Sequence, residues 1–205
     1  DQRRMAMLIY LLRHGETIYN TVKRYQGTRD ILLSKEGKAA LHVANFAPAQ
    51  VYVSPLSRAV DSACILFPAA KQIVVDDFRE MCFGIFEGRN YMEMEKDADY
   101  LAWVGNDCTG RCPGGETRAE FSARTCKAFV SLLNAALDTK QDVLCIVAHG
   151  GTQMALMEQY ALPHRDYYTW CAKNGAGFVL DASLWQSARQ LQLIGGVCYA
   201  GEEKA

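Results

Sequence analysis

Residues 8–20 read LIYLLRHGETIYN. Five apolar residues that suit the inside of a sheet give way in one step to Arg13, His14, Gly15, Glu16 and Thr17, with Asn20 three positions on. A continuous apolar run ending in a charged, glycine-containing turn is how a buried parallel strand delivers side chains to its C-terminal edge. Open α/β sheets place their ligands at that edge. An arginine beside a histidine there suits an anion, because a guanidinium forks onto phosphate oxygens and an imidazole can attack or protonate. The arrangement recurs later: the apolar run at 143–147 leads to Ala148-His149-Gly150-Gly151-Thr152 and a helix to about Tyr160. A helix N-terminus also favours anions.

Between these two stretches the chain alternates strand and helix signals. Residues 25–30 form a loop by composition, and Ser34 is an N-cap with Glu36 in the first turn. The helix it opens should run to about Phe46, burying Ala40, Val43 and Ala44 and stopping before Pro48. A short strand at 51–54 precedes Pro55-Leu56-Ser57-Arg58, which opens a helix through about Leu66. A third strand at 73–75 leads to Asp77 and Glu80. From about 90 to 115 the composition changes, with Tyr91, Tyr100 and Trp103 among many charges. We read this stretch as a small helical insert ending in a flexible loop, its aromatics serving either as packing or as a stacking platform. Thr117 and Glu120 have capping-box spacing for a long helix. Its core stripe would be Phe121, Ala128, Phe129, Leu132, Leu133 and Ala136. The last strands, 177–180 and 191–194, are too close in sequence for a parallel crossover, so one of them should run antiparallel.

The 205 residues suffice for one good core, read as a single domain carrying an insertion. A formal net charge of −1 provides no bulk positive field for nucleic acid or an anionic membrane, so any anion site must be local. No apolar run approaches the ~18 residues of a membrane helix. Arg3-Arg4 ahead of an apolar run imitates a signal peptide, but the run passes straight into Arg13-His14 without a small-residue cleavage site. The residues before Met5 or Met7 read as a leader. Cys64, Cys126, Cys145 and Cys171 sit in apolar segments and read as buried thiols. Cys108 and Cys112 lack the nearby histidine or second pair that a zinc site needs. A reducing cytoplasm is the expected setting.

The string LLRHGETIYN resembles the RHGE[ST]xxN motif of the histidine phosphatase superfamily, the phosphoglycerate-mutase-like group. SPLSRAVDSA, REMCFGIFEGR, PGGET and VAHGG match further elements of that family, in the family's order, as far as about Thr152. The resemblance implies a three-layer α/β fold over residues 1–205: a mainly parallel sheet with one antiparallel strand, helices on both faces and the 90–115 insert over the site. It makes His14 the nucleophile that takes the phosphoryl group. Arg13, Arg58 and His149 would hold the phosphate oxygens, with Asn20 donating a hydrogen bond and Gly150 at the helix N-terminus. Glu80 would be the proton donor, with Glu87 and Asp77 as rivals. Gln26 and Gly27 would border the pocket, although a solvated loop is an equal reading. No metal or cofactor is implied, and the partner is a small phosphate monoester. The compact insert resembles the phosphatase branch, such as α-ribazole phosphatase. Phosphoglycerate mutase is the rival enzyme, and a catalytically inactive phospholigand- or protein-binding member is the rival from another class. The oligomeric state stays open.

Overall fold

A computed structural model describes residues 6–201, so the leader expected before Met5 lies outside the described residues. In chain order the elements are β1 (Leu8–Arg13), α1 (Ile18–Thr21), α2 (Lys35–Ala40), β2 (Gln50–Val53), α3 (Ser57–Leu66), β3 (Lys71–Val74) and α4 (Ala98–Gly105). They continue with α5 (Arg118–Asp138), β4 (Val143–Ala148), α6 (Gly150–Tyr160), β5 (Ala161–Leu162), β6 (Ala176–Asp181), α7 (Trp185–Ala188) and β7 (Leu191–Cys198).

The strands form one seven-stranded sheet in the order β3-β2-β4-β1-β6-β7-β5. β1, β4, β2 and β3 pair in parallel. β6 runs antiparallel to both β1 and β7, and is the one reversed strand the short connection required. The central strands are buried on both faces, which explains their unbroken apolar runs. Ile9, Leu11, Leu144 and Ile146 pack with Phe129 and Leu133 of α5 and Leu156 of α6. Leu12, Val51, Val53 and Val147, on the other side of the pleat, pack with Ala59, Ala63 and Leu66 of α3. A third cluster gathers Phe86, Met94, Tyr100, Trp103 and Tyr167. It ties the insert to the sheet's C-terminal edge through Phe121 of α5 and Ala155 of α6. Among the described residues no helix is long and apolar enough to cross a membrane.

Several expectations need correction. The helix after Ser34 stops at Ala40, although Ser34 caps it as expected by accepting from the Gly37 N–H. Leu41 turns extended because the chain there pairs with the segment after β7. The His42 N–H bonds the Tyr199 carbonyl at 3.0 Å and the Gly201 N–H bonds the Ala40 carbonyl at 2.9 Å. Val43 is therefore exposed, while Ala44 packs at the edge of the second core cluster. β5 was not foreseen, and β7 runs four residues beyond its expected end, carried on by Gly195-Gly196. Thr117 caps α5 by accepting from the Glu120 N–H, but the Glu120 carboxylate binds Arg111 instead of closing the box. The reciprocal box forms at Thr17 and Asn20. Of the four thiols read as buried, Cys145 is buried and Cys126 partly so, whereas Cys64 and Cys171 are exposed. Cys171 sits in the connection between β5 and β6, which sequence polarity alone could not place.

β1 and β6 approach closely at Gly177, where an added Cβ would meet the Leu11 carbonyl at 2.1 Å. At Gly196 on β7 it would touch only the Gly177 carbonyl at 3.6 Å. Gly177→Ala should therefore lower unfolding free energy by about 2 kcal/mol or more, and Gly196→Ala by less than about 1 kcal/mol, in urea melts. Equal losses would show that strand spacing at Gly177 is not the constraint.

Candidate active site

Three neighbouring parallel strands end together. Arg13 of β1 lies opposite Ala148 of β4. One residue further on, the His14 N–H donates to the Ala148 carbonyl at 3.0 Å. The Ser54 N–H, just past β2, donates to Val147 of β4 at 3.2 Å. The sheet thereby sets Ser54, His149 and His14 side by side on its C-terminal edge. The two imidazoles stand edge to face with centroids 5.3 Å apart.

Both histidines are almost wholly buried. His14 Nδ1 lies 2.6 Å from its neighbour's carbonyl, that of Gly15. A carbonyl only accepts, so Nδ1 carries the proton and Nε2 keeps its lone pair. Burial, then the positive charge of Arg58 and of Arg13, holds His14 well below the ordinary histidine pKa. His149 is lowered likewise, first by burial and then by Arg58. Its Nε2 lies 2.7 Å from Ser54 Oγ, which also accepts from the Leu56 N–H.

Arg58 is 1% exposed, and burial brings its pKa down to about 10 against the pull of Glu80, Asp30 and Glu87. It donates to the carbonyls of Arg29 at 2.6 Å and Gly27 at 2.7 Å. Gly27 makes this possible with φ +53, and a Cβ there would strike the Glu87 carboxylate. Arg13 donates to the Ala172 carbonyl at 2.8 Å. Each guanidinium still keeps a buried Nε without a partner, and so does His149 Nδ1. Buried N–H groups left unpaired cost stability in an ordinary core. Here they belong to the two arginines whose charge acts on His14 and to the histidine whose ring meets it.

Glu80 reaches the same edge. Its carboxylate accepts from the Met81 N–H at 2.7 Å and the Gly151 N–H at 3.2 Å. Any Cβ on Gly151 would lie 2.1 Å from Glu80 Oε1, so the second glycine after His149 makes room for this acid. Glu87 is committed elsewhere, to the N–H and hydroxyl of Thr28, and Asp77 is exposed. Asn20 Oδ1 accepts from the Thr17 N–H at 3.0 Å and from Asn174 at 3.2 Å, which fixes the turn below His14. Gln26 accepts from the Thr17 hydroxyl at 2.7 Å and is itself buried, so this loop is not simply solvated. Gly150 packs against Cys171 and Arg13 Nε.

Four residues here were not singled out from the sequence. Ser62 of α3 accepts from the Gly15 N–H at 2.8 Å and ties the helix to the turn. Ser54 and Ser62 both stand inside the SPLSRAVDSA string, which was the available signal. Asn174 holds the carbonyls of His14 and Gly15 from a loop with no motif. Arg124 of α5 binds the carboxylate of Glu116 and the carbonyls of Asp77, Arg79 and Glu80. It clamps the loop that presents Glu80. On a helix with several charged residues nothing marks it out. A cavity of about 220 Å³ opens beside Glu80 and Gly151, with Trp103 of the insert in its wall.

The sheet order, the paired histidines at adjacent strand ends and the flanking arginines define a phosphate-handling α/β enzyme. The chain belongs to the histidine phosphatase superfamily (branch 1), whose sequence profile matches residues 9–182. It is similar to a glucosyl-3-phosphoglycerate phosphatase of Mycobacterium tuberculosis, with 32% identity over 186 residues, 84% of this chain and 82% of that one. A 2,3-bisphosphoglycerate-dependent phosphoglycerate mutase of Gloeobacter violaceus is 29% identical over 75% of this chain and 74% of its own. The crystal structure of the α-ribazole phosphatase from Shigella flexneri superposes with a TM-score of 0.77 at 22% identity, covering 97% of this chain and 100% of that one. That likeness is one of fold.

Both site histidines enter the fold neutral, their pKa values lowered from 6.5. Below about pH 6.5 the unfolded chain takes up these protons before the folded chain does, so stability is present above that pH and is lost beneath it. Each histidine should add a slope of up to about 1.4 kcal/mol per pH unit to unfolding free energy below pH 6.5. Urea melts at pH 7, 6 and 5 should show His14→Gln with a flatter slope. An unchanged slope would mean that His14 is not held neutral.

Proposed function

We propose that this phosphatase is a metal-independent phosphomonoesterase that works through a phosphohistidine on His14 and acts on a small phosphorylated metabolite in the cytoplasm. The observation that carries the reading is a neutral His14 set against His149 and under the charges of Arg58 and Arg13, with Arg13 Nε, Arg58 Nε and His149 Nδ1 all buried and unpartnered. Phosphoryl transfer asks the protein mainly for positioning and charge stabilisation, which two guanidinium groups and an imidazole N–H supply. His14 Nε2 attacks phosphorus and the ester oxygen departs with a proton from Glu80. Water, giving its proton to Glu80, then attacks the phosphoimidazole and releases inorganic phosphate. If the Ser54 hydroxyl donates to His149 Nε2, the His149 proton sits on Nδ1, ready for a phosphate oxygen. The eight thiols, all free, fit a reducing compartment.

Hydrolysis is favoured over mutase chemistry by the insert. The two arginines between Glu80 and Pro113 are already engaged, Arg89 with Asp97 at 3.0 Å and Arg111 with Glu120. No arginine pair is left there for a substrate carboxylate. The relatives' names span phosphoserine, glucosyl-3-phosphoglycerate and α-ribazole substrates. α-Ribazole phosphate therefore belongs in the first panel tested.

His14→Ala should abolish turnover and the acid-labile phosphoenzyme trapped from labelled substrate. Label retained in that variant would move the nucleophile, with His149 the next to test. With 3-phosphoglycerate, phosphate release should outrun isomerisation, and the reverse would sink the hydrolase reading.

Glu80→Gln should slow single-turnover phosphorylation of His14 by alkyl phosphates ~10²–10⁴-fold. It should hardly affect p-nitrophenyl phosphate, whose leaving group needs no proton. Equal slowing of both would remove Glu80 as the acid and point to Glu87.

A further inference from the structure

Glu80 stands on a stretch that no regular structure holds, since residues 79–83 belong to neither helix nor strand. Its carboxylate accepts from two N–H groups, but that of Met81 belongs to the same stretch and moves with it. Only the Gly151 N–H, at 3.2 Å, ties the side chain to another element. Packing holds two neighbours, Phe78 in the first core cluster and Met81 in the third. Neither contact fixes the main chain between them.

That main chain is fixed from α5 and the turn before it. Arg124 Nη1 donates to the carbonyls of Asp77 at 2.8 Å and Arg79 at 3.0 Å, and Nη2 donates to that of Glu80 at 3.0 Å. Nη2 and Nε also fork onto the two oxygens of Glu116, at 2.9 and 3.1 Å. Glu116 Oε1 in turn accepts from the Cys82 N–H at 3.2 Å, and the Glu116 N–H donates to the Cys82 carbonyl at 2.9 Å. Gly115 permits this approach, because a Cβ there would lie 2.4 Å from the Cys82 carbonyl. The acid is thus pinned on both sides, at residues 77–80 and at residue 82. An exposed ion pair would contribute little. This one is forked, its side chains are only 18% and 21% exposed, and every guanidinium nitrogen is used. Among the described residues, neither Arg124 nor Glu116 hydrogen-bonds to His14, Arg13, Arg58 or His149.

We propose that Arg124 and Glu116 are positioning residues for the proton donor. Their forked pair holds residues 77–82 so that the Glu80 carboxyl stays beside Gly151, and protonation of the departing alkoxide depends on it more than attack by His14 does. This rests on the reading of Glu80 as the acid and names what keeps it in place.

The test is single-turnover phosphorylation of His14 in the full chain by an alkyl phosphate and by p-nitrophenyl phosphate. A catalytic group misplaced by about 1 Å costs about 10²-fold. Arg124→Met should therefore lower the alkyl-to-nitrophenyl rate ratio by about 10²-fold. Glu116→Gln keeps an oxygen for the Cys82 N–H but weakens the pair, so it should move the ratio in the same direction and serves where Arg124→Met folds poorly. On a Glu80→Gln background Arg124→Met should lower the ratio no further, because no acid is left to position. A general loss of packing would slow both esters alike. A ratio unmoved in the folded variants, or a further drop on the Glu80→Gln background, overturns the positioning role and leaves Glu80 as the acid. A ratio unmoved by Glu80→Gln itself overturns the acid and this proposal together.

Discussion

One backbone hydrogen bond, from the His14 N–H to the Ala148 carbonyl, joins the two halves of the site. It continues the parallel ladder of β1 and β4 one step beyond the strands. Because the register is set by the buried faces of both strands, a slip of one residue would turn Leu11 and Ile146 out of their core. The same slip would pull the two imidazoles apart. The packing of the sheet and the geometry of the site are thus one constraint.

That constraint places cations where water is scarce. Arg58 is tied by two carbonyls in a buried position, and Arg13 is anchored by a third. Their charge, added to burial, keeps both histidines neutral. A neutral imidazole is what a nucleophile requires, and an incompletely paired guanidinium is what an incoming dianion neutralises.

The acid arrives from a separate element. The loop carrying Glu80 is held by Arg124 and Glu116 on one side and by the Gly151 N–H on the other. Arg124 of this clamp also lies over the ring of Phe121, which packs with the rings of the insert in the third cluster. The loop that presents Glu80 and the ring cluster of the insert are therefore joined through Met81 and Phe121, and the cavity beside Glu80 is lined from both.

Much of this was legible in the residues themselves. The runs at 8–12 and 143–147, each ending in a histidine, marked central strands and their functional edge, because a strand buried on both faces has no polar positions. The short link after β6 required a reversed strand for reasons of chain length alone. The family strings located His14, Arg58, Glu80 and His149, and the fold and membership they implied are what the molecule has. Other features were decided only by tertiary contact. The helix after Ser34 ends early because residues 40–42 pair with the chain beyond β7, some 160 positions away. Such long-range pairing leaves no trace in local periodicity. Gly151 looked like part of a helix start, yet what it permits is the approach of Glu80, a residue on another loop. Arg124 looked like one more charge on an amphipathic helix. Period and motif report what a residue does with its neighbours in the chain, whereas a buried charge or a missing Cβ takes its meaning from atoms that only folding brings near.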